Sequence, residues 1–317
     1  MEYLILIVSL VGIVFGADYL VTGAVSIARK YKVSDFVIGA AIIGIGTSMP
    51  EMTVSFLGAL NGNADVAIGN VVGSNIFNVF GILGLTAMFF PVTFGRENLK
   101  FDIPFCVGVS VILSLLFFNF FIGTGNCIGR FDGILLLVAF AAFMWMSFRR
   151  DKQATQATQT EEIEQQVGPM WISVLKVIGG LAVLVFSCDV FVDNAVLIAK
   201  SFGVSDSFIS LTLIACGTSL PELAASIAAA VKKNTSMALG NIVGSNIFNI
   251  ALIIGLCSQV SPLTSTGIDL VDFMVMIAAA LVLFIFGKDC KISRGEGAFL
   301  FLCFVAYTWY LISNQIA

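Results

Sequence analysis

The chain has 317 residues, of which 58 % are hydrophobic and 11 % charged, with a formal net charge of -4 and a mean hydropathy of +1.01. Soluble domains carry about a quarter charged residues, so the composition excludes a water-soluble globule and assigns the chain to the lipid bilayer. The acidic balance and the lack of a basic stripe exclude nucleic acid as a partner. There is no histidine, which removes Ser-His and Cys-His catalysis, HExxH zinc proteolysis and histidine proton relays. The seven cysteines form no CxxC and lie mostly in apolar runs, so they read as small core residues rather than a disulfide frame or a zinc site.

Apolar stretches lie near residues 3–28, 36–60, 66–90, 103–122, 130–148, 170–199, 208–231, 237–260, 270–287 and 297–314. Each is near the roughly 20 residues that a bilayer-spanning helix needs. The first has no basic n-region and no A-x-A site, and reads as a retained span. One segment is aqueous: Arg149–Gly168, RRDKQATQATQTEEIEQQVG. The expected organisation is a first five-helix repeat at 1–148, a linker at 149–169 and a second repeat at 170–317.

Loop charge tests the count of ten. Numbering the loops alternately places fourteen of the 16 Lys and Arg residues on one side, with only Arg130 and Lys200 on the other. Cytoplasmic loops carry the excess of Lys and Arg. The linker is therefore expected in the cytoplasm and both termini outside, in a plasma (inner) membrane.

A shift of 171 residues aligns the halves without a gap from Phe15–Leu85 to Phe186–Leu256, with more than two positions in five identical. GTSMPE (Gly46–Glu51) aligns with GTSLPE (Gly217–Glu222), and GNVVGSNIFN (Gly69–Asn78) with GNIVGSNIFN (Gly240–Asn249). The copies are five spans apart, an odd number, so they run in opposite directions. Inverted repeats are an architecture of secondary transporters, with the binding site near the midplane. The best-preserved positions are polar, and these are the costly ones in a bilayer. The expected fold is an all-α integral membrane protein of ten spans with helices broken at the midplane.

Pro50 lacks an N–H, so the carbonyl of Gly46 loses its helical partner. Pro221 does the same to Gly217. Irregular backbone at membrane depth is tolerated only where it lines protein or water, and freed carbonyls there are cation ligands. Glu51 and Glu222 sit one turn from Thr47 and Thr218. Together with Ser48 and Ser219, the two breaks direct two carboxylates, several carbonyls and four hydroxyls at one place. Ser74 with Asn78, and Ser245 with Asn249, are each four residues apart and share a helix face. Gly69, Gly73, Gly240 and Gly244 allow close helix approach. This oxygen-only inventory suits Ca²⁺ or Na⁺ and not soft metals.

Other polar positions carry two readings at this stage. Asp18 and Asp189, matched within spans one and six, are either a gate or access relay for ions, or a packing pair. Ser55 and Ser226 are ligand-side or back-bonded hydroxyls, and Asn75 and Asn246 are site groups or interhelical glue. Asp35 and Asp206 read as helix caps.

These motifs resemble the paired alpha repeats of the cation/calcium exchanger superfamily, and most of all its prokaryotic sodium/calcium exchanger-like branch. The resemblance covers essentially the whole chain. It implies a core of spans two, three, seven and eight, past which spans one and six slide. It implies calcium ligands at Glu51, Glu222 and the carbonyls of Thr47 and Thr218. It further implies sodium ligands at Ser48, Ser74, Ser219, Ser245, the carbonyls of Gly44 and Ala215, and both glutamates. Asn78 and Asn249 take the remaining corners. The implied activity is exchange of Ca²⁺ for Na⁺, or alternatively Ca²⁺ for H⁺ on the same glutamate pair. Transported ions are then its only cofactors, and the bilayer and inorganic cations its partners. Some members carry Asp where this chain has Asn249, and Asn at both corners leaves only two formal negative charges. An aspartyl hydrolase built on Asp18 and Asp189 lacks the GxGD motif. A passive channel is opposed by the closed carboxylate pair.

The orientation has a direct check. A cysteine placed within 151–168 should react with an impermeant maleimide from the cytoplasmic side only, and one near Ala317 from outside only. Reversed labelling would overturn the loop assignment.

Overall fold

A computed structural model of the chain describes residues 2–118, 126–157, 169–202, 215–265 and 267–316. In hydrocarbon a backbone must satisfy its own N–H and C=O groups, so the apolar runs become helices. They are α1 (Glu2–Tyr31), α2 (Asp35–Thr47), α3 (Met49–Leu60), α4 (Ala64–Phe89), α5 (Asn98–Phe117), α6 (Arg130–Ala157), α7 (Met170–Ser201), α8 (Leu220–Val231), α9 (Thr235–Val260), α10 (Leu270–Asp289) and α11 (Arg294–Ile316). Eight are long and apolar enough to cross a bilayer, and α2 with α3 forms a ninth span bent by 49°. Helix α8, a shorter apolar helix of 12 residues, and the turn Ala215–Gly217 before it lie where the sequence places another span. The expected beginning of that span at 208–214, the end of the fourth at 119–122, linker residues 158–168 and Asp206 lie outside the described residues.

One expectation is refined and one corrected. Helix α6 continues through Ala157, so the first part of the segment read as linker is helical. Arg150 holds that end, pairing with Glu97 at 3.0 Å and lying 4.1 Å over the Phe101 ring. Ala and Gln beyond it are good helix formers. At the start of α2 the cap is Ser34, whose hydroxyl accepts from the Val37 N–H, while Asp35 is the first helical residue. The carboxylate there adds favourable charge to the first turn.

The two halves interlock. Helices α4 and α9 form the centre: 94 % of the apolar window of α9 is buried, against 11 % for α11. Helices α5 and α6 pack on α9, α10 and α11 pack on α4, and α1 lies along α7. Gly16 and Gly180 face each other across the α1–α7 contact, where a Cβ on Gly180 would stand 2.5 Å from the Leu20 nitrogen. Gly240 and Gly244 bring α9 against α2, since a Cβ on either would collide with Phe36 or Ala40. The expected close approach at Gly69 and Gly73 is not seen among the described residues. Their opposite numbers, at 207 and 211, lie outside them.

Two short ribbons join the repeats at the loops. Strand β1 (Val92–Thr93) pairs antiparallel with β4 (Lys291–Ile292), and β2 (Cys127–Ile128) with β3 (Leu263–Thr264). Each ribbon joins loops that the alternating count places on one side. The repeat also extends beyond the aligned sequence, at an offset of 164 residues. Phe140 meets Phe248 as Phe304 meets Phe77. Gly133 lies against Gly255 as Gly297 lies against Gly84. Asp132 accepts from the Gly129 N–H, and Glu296 from the Ser293 N–H, both at 2.7 Å.

Candidate cation-binding site

The break in each repeat falls on a serine. Ser48 (φ -82°, ψ 9°) and Ser219 (φ -92°, ψ 8°) leave the helical path just before Pro50 and Pro221. Proline is accepted at the second position of the new helix because the N–H it lacks would have had no helical partner there. Helices α3 and α8 therefore restart at the midplane with Glu51 and Glu222 in their first turns, both 0 % exposed.

The two motifs meet across the repeat axis. The Ser48 hydroxyl donates to Glu222 Oε1 at 2.7 Å, and the Ser219 hydroxyl to Glu51 Oε1 at 2.6 Å. Ser219 Oγ also lies 3.3 Å from Ser74 Oγ, and Ser245 Oγ donates to the Gly44 carbonyl at 3.3 Å. The structure thus links Ser48 with Glu222, Ser219 with Glu51 and Ser74, and Ser245 with the Gly44 carbonyl. Asn78 and Asn249 lie in wide π-helical turns, Phe77–Leu83 and Phe248–Ile254. Such turns are frequent at functional sites.

What is left without a partner is informative. Glu51 Oε2, Glu222 Oε2, Asn78 Oδ1, Asn249 Oδ1 and Thr218 Oγ1 are buried and make no hydrogen bond among the described residues. The first four form two pairs related by the repeat. Buried polar atoms are normally satisfied, and a buried carboxylate without compensation is costly. Among the described residues neither glutamate has a basic partner, and no three His, Cys, Asp or Glu side chains converge. The chemistry that fits is a hard cation held by oxygens from carboxylates, amides and hydroxyls.

Some of the expected groups are engaged elsewhere. The Thr47 hydroxyl donates to the Ile43 carbonyl at 3.0 Å and lies 3.3 Å from Asn241 Oδ1. The Gly44 carbonyl already accepts from the Ser48 N–H at 3.1 Å as well as from Ser245. Asp18 and Asp189 do not join the site. Asp18 pairs with Lys232 at 2.7 Å, and the ammonium also bonds the Thr22 hydroxyl. Asp189 borders a cleft of about 420 Å³ lined by Gly46, Met49 and Leu181.

Sequence reasoning missed Asn70 and Asn241. Asn70 Nδ2 donates to the Glu51 carbonyl at 3.1 Å and to Ser55 Oγ at 2.9 Å. Asn241 Nδ2 donates to the Glu222 carbonyl at 3.2 Å and to Ser226 Oγ at 2.9 Å. Each amide fastens a glutamate-bearing helix to its neighbour, which also settles Ser55 and Ser226 as acceptors in this clamp. The signal was present: Asn70, Ser74 and Asn78 recur every four residues, as do Asn241, Ser245 and Asn249.

The fold and the paired motifs define a multi-pass membrane transporter rather than an enzyme. Residues 1–149 and 172–313 match the family described as sodium/calcium exchanger protein, and the chain belongs to that family. It is 37 % identical to CaxA of Alkalimonas amylolytica over 97 % of this chain and 98 % of that one. It is 32 % identical to the sodium/calcium exchanger MaX1 of Methanosarcina acetivorans, over 96 % and 97 %. The structure of the sodium-calcium exchanger NCX_Mj soaked with zero Na⁺ and Ca²⁺ is similar at a TM-score of 0.84, with 29 % identity over 98 % of both chains.

The clamp predicts a graded effect. Asn241→Ala removes contacts to Glu222, Ser226 and Thr47, and should cost about 2–3 kcal/mol of stability. Asn70→Ala removes two contacts and should cost less. Thermal unfolding of the purified variants in detergent checks both; equal melting temperatures for all three proteins would remove the clamp.

Proposed function

We propose that this protein is a secondary antiporter that exchanges Ca²⁺ for Na⁺ across the plasma (inner) membrane by alternating access. The reading rests above all on one observation: among the described residues, two fully buried carboxylates each have one oxygen without a hydrogen bond and no basic side chain paired with them. In this reading Ca²⁺ sits between Glu51 and Glu222, with the carbonyls of Thr47 and Thr218. Na⁺ uses Ser48, Ser74, Ser219, Ser245, the carbonyls of Gly44 and Ala215, and the same glutamates, while Asn78 and Asn249 line the remaining corners. Residues 1–148 and 170–317 act as the two inverted repeats around a cytoplasmic linker at 149–169, with the termini outside. Asp18 and Asp189 serve access rather than binding, since the first ties α1 to the end of α8 and the second borders a cleft beside the α2–α3 break.

One feature favours a second reading, exchange of Ca²⁺ for H⁺. With Asn at 78 and 249 the site carries two formal charges, which one Ca²⁺ or two H⁺ would balance and three Na⁺ would exceed by one.

The glutamates give the first test. Glu51→Gln and Glu222→Gln should each abolish Ca²⁺ uptake into vesicles while the protein still purifies as a folded species. Each change leaves a dry Ca²⁺ site with a single compensating carboxylate, a charge burial worth several kcal/mol. Near wild-type uptake by either variant would place Ca²⁺ elsewhere.

Coupling is tested by imposed gradients. Protonation removes carboxylate charge from the site, so Ca²⁺ uptake should fall as the pH is lowered whichever ion drives it. Na⁺ gradients should drive uptake in wild type, and Asn249→Asp should raise Na⁺ affinity and steepen the voltage dependence. Uptake driven by a pH gradient and indifferent to Na⁺ would assign the proton instead.

A further inference from the structure

Four amides meet between α4 and α9: Asn75 and Asn78 on the first, Asn246 and Asn249 on the second, all at most 3 % exposed. The turns that carry Asn78 and Asn249 pack against the glutamate-bearing helices α8 and α3. A carboxamide has one accepting end and one donating end. The value of Asn78 and Asn249 to a cation depends on which end each presents, because an NH₂ group facing Ca²⁺ or Na⁺ would repel it. Nothing in the two side chains themselves decides this.

The neighbouring pair decides it through two hydrogen-bond relays, each starting from an atom that can only accept. The first starts at the backbone carbonyl of Asn75. Asn246 must turn its Nδ2 to that carbonyl, at 3.4 Å. Its Oδ1 then faces Asn78 and accepts from Asn78 Nδ2 at 2.9 Å, leaving Asn78 Oδ1 bare. The second starts at the thioether sulfur of Met276 on α10, which takes Asn75 Nδ2 at 3.9 Å. Asn75 Oδ1 then accepts from Asn249 Nδ2 at 3.5 Å, and Asn249 Oδ1 is left bare in turn. Both relays run across the repeat interface and end on a buried oxygen with no hydrogen-bond partner among the described residues.

We propose that Asn75 and Asn246 are positioning residues that lock Asn249 and Asn78 with oxygen toward the cation, and so help the site take a bare cation in place of a donor-bearing group. The proposal rests on the cation site proposed above. Asn75 and Asn246 do not touch the ion in this scheme. They act by occupying the NH₂ ends of the residues that do.

Replacing a corner asparagine by aspartate separates this role from packing, because a carboxylate shows oxygen in either rotation. Equilibrium binding of Ca²⁺ alone to the purified full-length chain, by calorimetry, is the measurement. Asn246→Ala should weaken Ca²⁺ binding about tenfold, the scale of one lost orienting hydrogen bond. On an Asn78→Asp background the same change should have little effect. The second relay gives an independent cycle, Asn75→Ala with and without Asn249→Asp. Met276→Leu should produce a smaller loss that Asn249→Asp likewise abolishes. If Asn246→Ala does not fold, the Asn75 and Met276 cycles decide the question. An equal loss on both backgrounds would show that these residues only pack, and would overturn the proposal while leaving the cation site intact. A wild-type chain that binds neither Ca²⁺ nor Na⁺ would overturn the site and this proposal together.

Discussion

The rest of the structure depends on the cost of holding two carboxylates in a dry interior. Removing a carboxylate from water costs several kcal/mol after relaxation, and Glu51 and Glu222 are both fully buried without a basic partner. Each repeat meets half of that cost for the other. The serine at one break donates to the glutamate beside the other, at 2.7 and 2.6 Å, and this satisfies one oxygen of each carboxylate. The second oxygens have no donor. Had the protein supplied a lysine or arginine there, the pair would be a structural salt bridge with no room for exchange. Leaving the oxygens bare makes the site incomplete without an external cation.

Such a site needs rigid walls, and the interlocked repeats supply them. Spans from the second half pack on α4 and spans from the first half pack on α9, so neither half encloses the site by itself. The ribbons at the loops and the ring contacts Phe77–Phe304 and Phe140–Phe248 repeat this exchange at both ends. Asn70 and Asn241 work at the centre, fastening the glutamate-bearing helices by their carbonyls. Polar contacts placed so deep are effective because water does not compete for them.

Much of this was legible in the sequence, for identifiable reasons. Apolar runs near span length mark the helices because the bilayer sets that length. The breaks were legible because proline removes a donor wherever it stands. The convergence of Glu51 with Glu222 followed from the doubled motif and the odd spacing of its copies. The repeat in α6 and α11 was not legible, because its offset of 164 residues differs from the 171 of the motif region and what survives is scattered: a glycine, a phenylalanine and an acidic cap. Asn70 and Asn241 escaped because a stripe of polar residues at i, i+4 and i+8 does not reveal which member faces the ion and which faces a carbonyl. The helical start of the linker escaped because its polarity describes solvent exposure, not backbone conformation.

The repeats also differ where a symmetric machine would need them alike. The tie from Lys232 to Asp18 and Thr22 joins α1 to the end of α8. Its repeat counterparts are Asn61, Asp189 and Asp193, an amide and two carboxylates, and no ion pair to either aspartate occurs among the described residues. Lys232 and Asp18 are 28 % and 57 % exposed, and pairs of that kind contribute up to about 1 kcal/mol. That is at most a factor of roughly five in an equilibrium constant, a weak tie that only one of the two repeats carries. The polar motifs are therefore what the two repeats share most closely, and a helix-end tie of this kind is one of the places where they have diverged.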